Sequence, residues 1–160
     1  MEEKLILTWD DIDKCCLDFA KSNEKKYDYI IAVARGGLPI GVILAHMMGI
    51  KTVLTFQASI MASDEVGAEH STLKFGRNIN FDCIKGKKVL LVDEVCDSGA
   101  TLEGIKTFLE TETKDIDAFV IATIDGHLKD GCRMPEYSCM TTDKWISFPW
   151  EKYENIKTIK

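Results

Sequence analysis

The apolar positions of this 160-residue chain change period several times, and each change marks an element. Ile12, Cys16, Phe19 and Ala20 recur at helical spacing. A helix is therefore expected from Thr8-Trp9-Asp10-Asp11, whose polar residues suit a cap, to about Lys21. Tyr29 to Val33 is a short apolar run, read as a strand, and Ala34-Arg35-Gly36-Gly37 breaks it. Leu38 to Met48 reads as a helix, with Pro39 tolerated in its first turn and Gly49 closing it. Lys51 to Phe56 is a second strand. From Gln57 to Phe81 neither period holds, and so long an irregular stretch points to disorder or to a functional lid. Lys85-Gly86-Lys87 turns the chain into a strand at Val89–Val92. A helix at Leu102–Leu109, a strand at Ala118–Ile124 and a short strand at Tyr137–Met140 follow. This alternation predicts an α/β fold, a mainly parallel twisted sheet with helices on both faces. One domain is expected across 1–160, with no internal repeat or linker.

The densest chemistry lies where the third strand ends. Val89-Leu90-Leu91-Val92 runs into Asp93-Glu94, and Asp97-Ser98-Gly99-Ala100-Thr101 follows just before a helix. Open α/β sheets place ligands at the carboxyl ends of their strands. Backbone N–H groups and hydroxyls at a helix start favour a phosphate. A helix cap alone would need one such residue, whereas four stand here beside an acid pair. A second candidate is Ala34-Arg35-Gly36-Gly37, where two glycines allow close backbone approach and Arg35 offers a cationic fork.

The run from Val89 to Thr101 resembles the phosphoribosyl-diphosphate (PRPP) motif of the type I phosphoribosyltransferases: four apolar residues, two acids, a short gap, then Asp-Ser-Gly-x-Thr. The segment Asp143-Lys144-Trp145-Ile146-Ser147-Phe148-Pro149-Trp150-Glu151 resembles the base-binding stretch of microbial purine enzymes of the xanthine–guanine and hypoxanthine kind, and Leu7-Thr8-Trp9-Asp10 also looks like theirs. The resemblance implies a type I fold with a small C-terminal hood over the base. It implies an enzyme of purine salvage that joins xanthine, guanine or hypoxanthine to PRPP with Mg²⁺, releasing pyrophosphate. It assigns pyrophosphate to Arg35, Gly36 and Gly37, with a cis peptide at Ala34–Arg35. Asp93 and Glu94 would hold the ribose hydroxyls and the metal. Asp97, Ser98, Gly99, Ala100 and Thr101 would hold the 5′-phosphate, and Asp97 would also act as general base near purine N7. Trp145 and Ile146 would line the base pocket. These enzymes usually carry a lysine that donates to the 6-oxo group. Here the loop Asp125–Met134 departs from their pattern, and Lys129 is the only lysine within it. Lys74 and Arg77 are the cations that the Gln57–Phe81 stretch could bring to the site. Such enzymes often form homodimers or homotetramers.

Composition narrows the alternatives. A formal charge of −6 argues against a general nucleic-acid surface, and no apolar run reaches the length of a membrane span. A PRPP-binding regulator without transferase activity would need a basic face or an added domain, and the chain offers neither. A flavodoxin-like nucleotide binder would explain the acids and the phosphate loop but not Trp145–Glu151. The N-terminus lacks the basic and apolar regions of a signal peptide, so a cytoplasmic protein with six reduced cysteines is expected. His127, Cys132 and Cys139 have spacing that fits no common zinc site. Asp93 and Glu94, at a strand end, are expected to be solvated in the absence of ligand.

Overall fold

The computed structural model describes residues 4–61, 72–75 and 82–154. The chain runs β1 (Lys4–Ile6), α1 (Trp9–Ser22), β2 (Tyr29–Ala34), α2 (Gly37–Met48), β3 (Thr52–Met61) and β4 (Thr72–Phe75). It continues through β5 (Val89–Cys96), α3 (Ala100–Leu109), β6 (Ile116–Ile124), β7 (Tyr137–Thr142) and β8 (Trp145–Ser147). Six strands form one sheet in the order β4-β3-β2-β5-β6-β7, parallel except for the antiparallel β3–β4 pair. This is the mainly parallel α/β fold that the alternation of elements predicts.

The central strands are apolar on both faces because both faces are covered. Ile30, Leu90, Val92, Phe119 and Ile121 pack with Ile12, Cys16 and Phe19 of α1 and Ile40 and Leu44 of α2. Their neighbours Ile31, Val33, Leu91, Ala118 and Val120 point to the other face and pack with Leu102, Ile105 and Leu109 of α3. Local signals set the helix ends. Thr8 and Asp11 form a reciprocal capping box at the start of α1, and Gly49 closes α2 in the left-handed conformation at φ 69°.

Several boundaries differ from those the periodicity predicts. β5 runs on through Asp93 and Glu94 to Cys96, because Val95 and Cys96 find register partners in Ala122 and Thr123 of β6. α3 begins at Ala100 rather than Leu102. The stretch from Gln57 is not wholly irregular, since Gln57–Met61 completes β3 and Ala58–Met61 pairs with Thr72–Phe75. Lys74 therefore sits on β4 opposite Ser59, while Arg77 lies outside the described residues. β1 and β8 have no strong pattern of their own. They form a separate two-stranded parallel sheet, extended by the Leu7 N–H donating to the Ser147 carbonyl at 3.0 Å. That pair ties the N-terminus to the Trp145–Glu151 segment and builds the hood beside the main sheet. Among the described residues no helix is long and apolar enough to cross a membrane.

Candidate functional site

The connections decide where the site lies. β2 leads through α2 to β3 on one side, and β5 leads through α3 to β6 on the other. β2 and β5 are neighbours in the sheet, so their carboxyl ends form the switch point where such sheets open a crevice. The two candidate loops, 34–37 and 97–99, are the two loops that leave those strands.

Their approach is close enough to explain both glycines. A Cβ at position 36 would lie 2.0 Å from Glu94 Cδ, and one at position 37 would lie 2.4 Å from the Val92 carbonyl oxygen. The Ala34–Arg35 peptide is cis, as the resemblance implied. Arg35 itself points away from the acids. Its exposed guanidinium donates to Glu154 Oε1 at 3.2 Å, a surface pair of small energetic weight.

Asp93 corrects the expectation of solvated acids. It is only 8 % exposed, and its Oδ1 accepts the Glu94 N–H at 2.9 Å. Burial and the adjacent Glu94 push its carboxyl well above the ordinary range. The cause is the extended β5, which carries Asp93 into the sheet opposite Val120. Glu94 is only partly buried and borders the cleft between sheet and hood.

At the candidate phosphate loop, Gly99 is left-handed at φ 76°, and an added Cβ would meet Leu128 Cδ1 at 2.7 Å. Only glycine both takes that backbone conformation and leaves that space. No side chain caps α3, so the N–H groups of its first turn stay available to an anion; Ser98 Oγ accepts only from Ala100 N, at 3.4 Å. The following loop is pinned here by its backbone, with Lys129 N–H donating to the Ser98 carbonyl at 3.0 Å.

A cleft of about 690 Å³ lies between the end of β5 and the hood. Glu94, Val95 and Asp97 border it from β5 and the loop after it, and Trp145, Ile146 and Phe148 from the hood. Trp145 is 66 % exposed and Ile146 6 %, so one offers an open ring face and the other an anchored wall. Phe148 stacks on Trp150 at 5.0 Å between ring centroids, which steadies that wall.

Lys129 does not reach this cleft. Its side chain is exposed, because the loop docks on Ser98 through the Lys129 backbone instead. The border also holds His127, Asp143, Lys144 and Glu151, to which the sequence pattern assigns no role. His127 Nδ1 stands 2.6 Å from Asp97 Oδ1. Nothing in the sequence signals this pair, since thirty positions separate its members. Arg133 anchors the same loop, donating to both carboxylate oxygens of Glu103 and to Glu110 on α3 and its cap. Those bonds draw the Glu103 carboxyl down to about 2.

The arrangement can therefore seat an anion at the α3 start and a flat apolar ring against the hood, with the Glu94 carboxyl filling the space beside Gly36. The phosphoribosyl transferase domain matches residues 11–155. Xanthine phosphoribosyltransferase 1 of Saccharomyces cerevisiae is 26% identical over 190 residues, covering 93% of this chain and 90% of that protein. Xanthine-guanine phosphoribosyltransferase of Vibrio parahaemolyticus is 30% identical over 154 residues, covering 94% and 91%. The crystal structure of a purine phosphoribosyltransferase from Pyrococcus horikoshii superposes with a TM-score of 0.81 at 32% identity, covering 96% of each chain.

Proposed function

Since the chain belongs to the type I purine phosphoribosyltransferases, we propose that it joins a 6-oxopurine, whether xanthine, guanine or hypoxanthine, to PRPP. The products are the nucleoside 5′-monophosphate and pyrophosphate. The observation that supports this reading is that Asp97 and Glu94, the acid against which Gly36 packs, border one cleft with Trp145 and Ile146 of the hood, beside the β2–β5 switch point.

On this reading the N–H groups at the start of α3 and the Ser98 and Thr101 hydroxyls hold the 5′-phosphate. The N–H groups of Gly36 and Gly37 hold pyrophosphate, with Arg35 swinging in from Glu154. Asp93 and Glu94 accept from the ribose hydroxyls. The base lies against Trp145 and Ile146. Asp97 takes a proton from the base near N7 as the new bond forms, a role its exposed position at the cleft permits. Lys129 is the lysine that the Asp125–Met134 loop offers to the 6-oxo group, from a side chain that stands outside the cleft lining.

Asp93 and Glu94 also suit Mg²⁺. They are hard oxygen donors, and among the described residues no third acid, histidine or cysteine joins them. That is too few for a resident cation and fits Mg²⁺, which keeps waters and takes substrate oxygens. When bound, Mg²⁺ would neutralise charge that builds on the departing pyrophosphate. The same reading has the chain working in the cytoplasm as a homodimer or homotetramer, without nucleic-acid or membrane partners. The exposed Val42 and Met47 of α2 are apolar surface available for self-association.

The test is to incubate the full chain at neutral pH with PRPP, Mg²⁺ and each of xanthine, guanine, hypoxanthine and adenine, following nucleotide and pyrophosphate. Nucleotide from at least one 6-oxopurine, with adenine poor, is the expected result. Efficient use of adenine would sink the 6-oxopurine assignment. PRPP binding without turnover of any base would indicate a regulatory protein instead.

A further inference from the structure

We propose that His127 is a specificity-determining residue: fixed by Asp97 through Nδ1, it reads the 6-substituent of the purine through Nε2. The inference rests on the transferase reading above and extends it to the choice of base.

The argument starts from the 2.6 Å contact between His127 Nδ1 and Asp97 Oδ1. A carboxylate can only accept, so Nδ1 carries the hydrogen. Nε2 is then the ring nitrogen left for a ligand, and it has no partner among the described residues. Asp97 Oδ2 is likewise left over, and it is the atom available to purine N7. On a purine, N7 and the 6-substituent lie side by side on one edge. A group bonded to the residue that meets N7 therefore stands beside the 6-position. His127 also lines the same cleft as Trp145 and Ile146, so a ring held against the hood presents that edge to both side chains.

The tautomer makes the contact depend on protonation. With Nδ1–H committed to Asp97, a neutral ring offers Nε2 as an acceptor and a charged ring offers Nε2–H as a donor. A 6-oxo group accepts and needs the charged ring. A 6-amino group donates and is matched by the neutral one. Histidine is the side chain that makes this change near neutral pH. Several charged groups face it: Asp97 and Glu94 from β5 and its loop, Asp143 and Lys144 from the β7–β8 turn, and Glu151 beyond the hood. Asp125, Lys129 and Asp130 share its own loop.

Hypoxanthine and adenine differ only in the 6-substituent and the N1 hydrogen that goes with it, which makes them the probes. Steady-state kinetics would be run on the wild-type chain, His127→Lys and His127→Ala between about pH 5 and 8. In the wild type, KM for hypoxanthine should rise roughly tenfold or more with pH, as one charged hydrogen bond is lost. The preference for hypoxanthine over adenine should fall along the same curve, and KM for PRPP should not move. His127→Lys keeps a charged donor throughout and should give a low, flat hypoxanthine KM. His127→Ala should be high at every pH. His127 is largely exposed, so both variants should melt like the wild type. A flat wild-type profile, an unchanged KM in His127→Ala, or an equal rise in KM for PRPP would each overturn the inference while leaving the transferase reading standing. Absence of nucleotide from every base would overturn both.

Discussion

Alanine at position 36 and alanine at position 37 should have opposite consequences, because the added methyl meets different kinds of atom. At position 37 it would stand 2.4 Å from the Val92 carbonyl oxygen and 3.2 Å from Asp93 Cα. Ordinary contact needs about 3.5 Å, so the shortfall is about 1 Å. Val92 is fully buried at the centre of the sheet and cannot recede. The start of α2 must move instead, with Ile40 and Leu44 behind it in the core. Overpacking of this kind costs about 1–3 kcal/mol, more than the 0.5–1 kcal/mol or so that alanine gains over glycine in a helix. At about 2–4 °C per kcal/mol for a chain of this size, Gly37→Ala should melt roughly 2–10 °C lower. At position 36 the methyl would meet the Glu94 carboxyl, the far end of a flexible side chain. Glu94 can swing aside, and the backbone at φ −66° and ψ −29° accepts alanine without strain. Gly36→Ala should therefore melt at or slightly above the wild type, since Gly→Ala at a compatible site gains about 0.4–1 kcal/mol. Its turnover should fall roughly 10²-fold, because a displaced Glu94 disturbs positioning by an ångström or more. Circular-dichroism melts and initial rates with PRPP measure both. If both variants lose the same stability, or Gly37→Ala melts like the wild type, the close approach of loop and strand is not as described.

Asp97→Asn removes the carboxylate at nearly constant size; turnover should drop about 10²–10⁴-fold while calorimetric PRPP affinity changes little, and near-normal turnover would take Asp97 out of the proton-transfer role. Glu136, itself exposed, accepts from the buried Lys106 ammonium and from the Ala118 N–H, so Glu136→Ala leaves two donors short of a partner and should cost about 1–3 kcal/mol in urea unfolding. A double variant, Lys106→Met with Glu136→Leu, should recover most of that loss, and failure to recover would mean that packing rather than charge dominates. Arg133 holds the Glu103 carboxyl down at about 2 against an ordinary 4.5, so its contribution to stability is full above about pH 4.5 and is lost as pH falls through 2. Glu103→Gln should accordingly melt lower than wild type at pH 7, with the gap closing towards pH 2; an equal gap at pH 3 and pH 7 would contradict the pairing.

Features encoded over a few residues are legible in the chain alone. The Thr8–Asp11 cap, the Gly49 stop, the apolar runs at Tyr29 and Val89, and the phosphate loop at Asp97–Thr101 all depend on backbone preferences and neighbours in sequence. The same local chemistry places both candidate loops directly after β2 and β5. The two glycines at 36 and 37 are legible as a point of close approach, although not what they approach.

The rest was decided by partners far along the chain. β1 and β8 are three residues each and exist because Lys4–Ile6 finds Trp145–Ser147 across the length of the molecule. β5 outruns its apolar stretch because β6 supplies hydrogen bonds beyond it, and that extension buries Asp93. The resemblance implies a lysine donor and Lys129 is the lysine of its loop, but only the folded chain shows that this loop docks its backbone on Ser98 and brings His127 to Asp97. Sequence by itself determined the candidate residues and which strands they follow, since periodicity and turn preference act over a single turn or strand. Tertiary structure decided which of those residues meet and which are dry. Burial and long-range hydrogen bonding come from packing one element on another, and no short window of sequence contains both sides of such a contact.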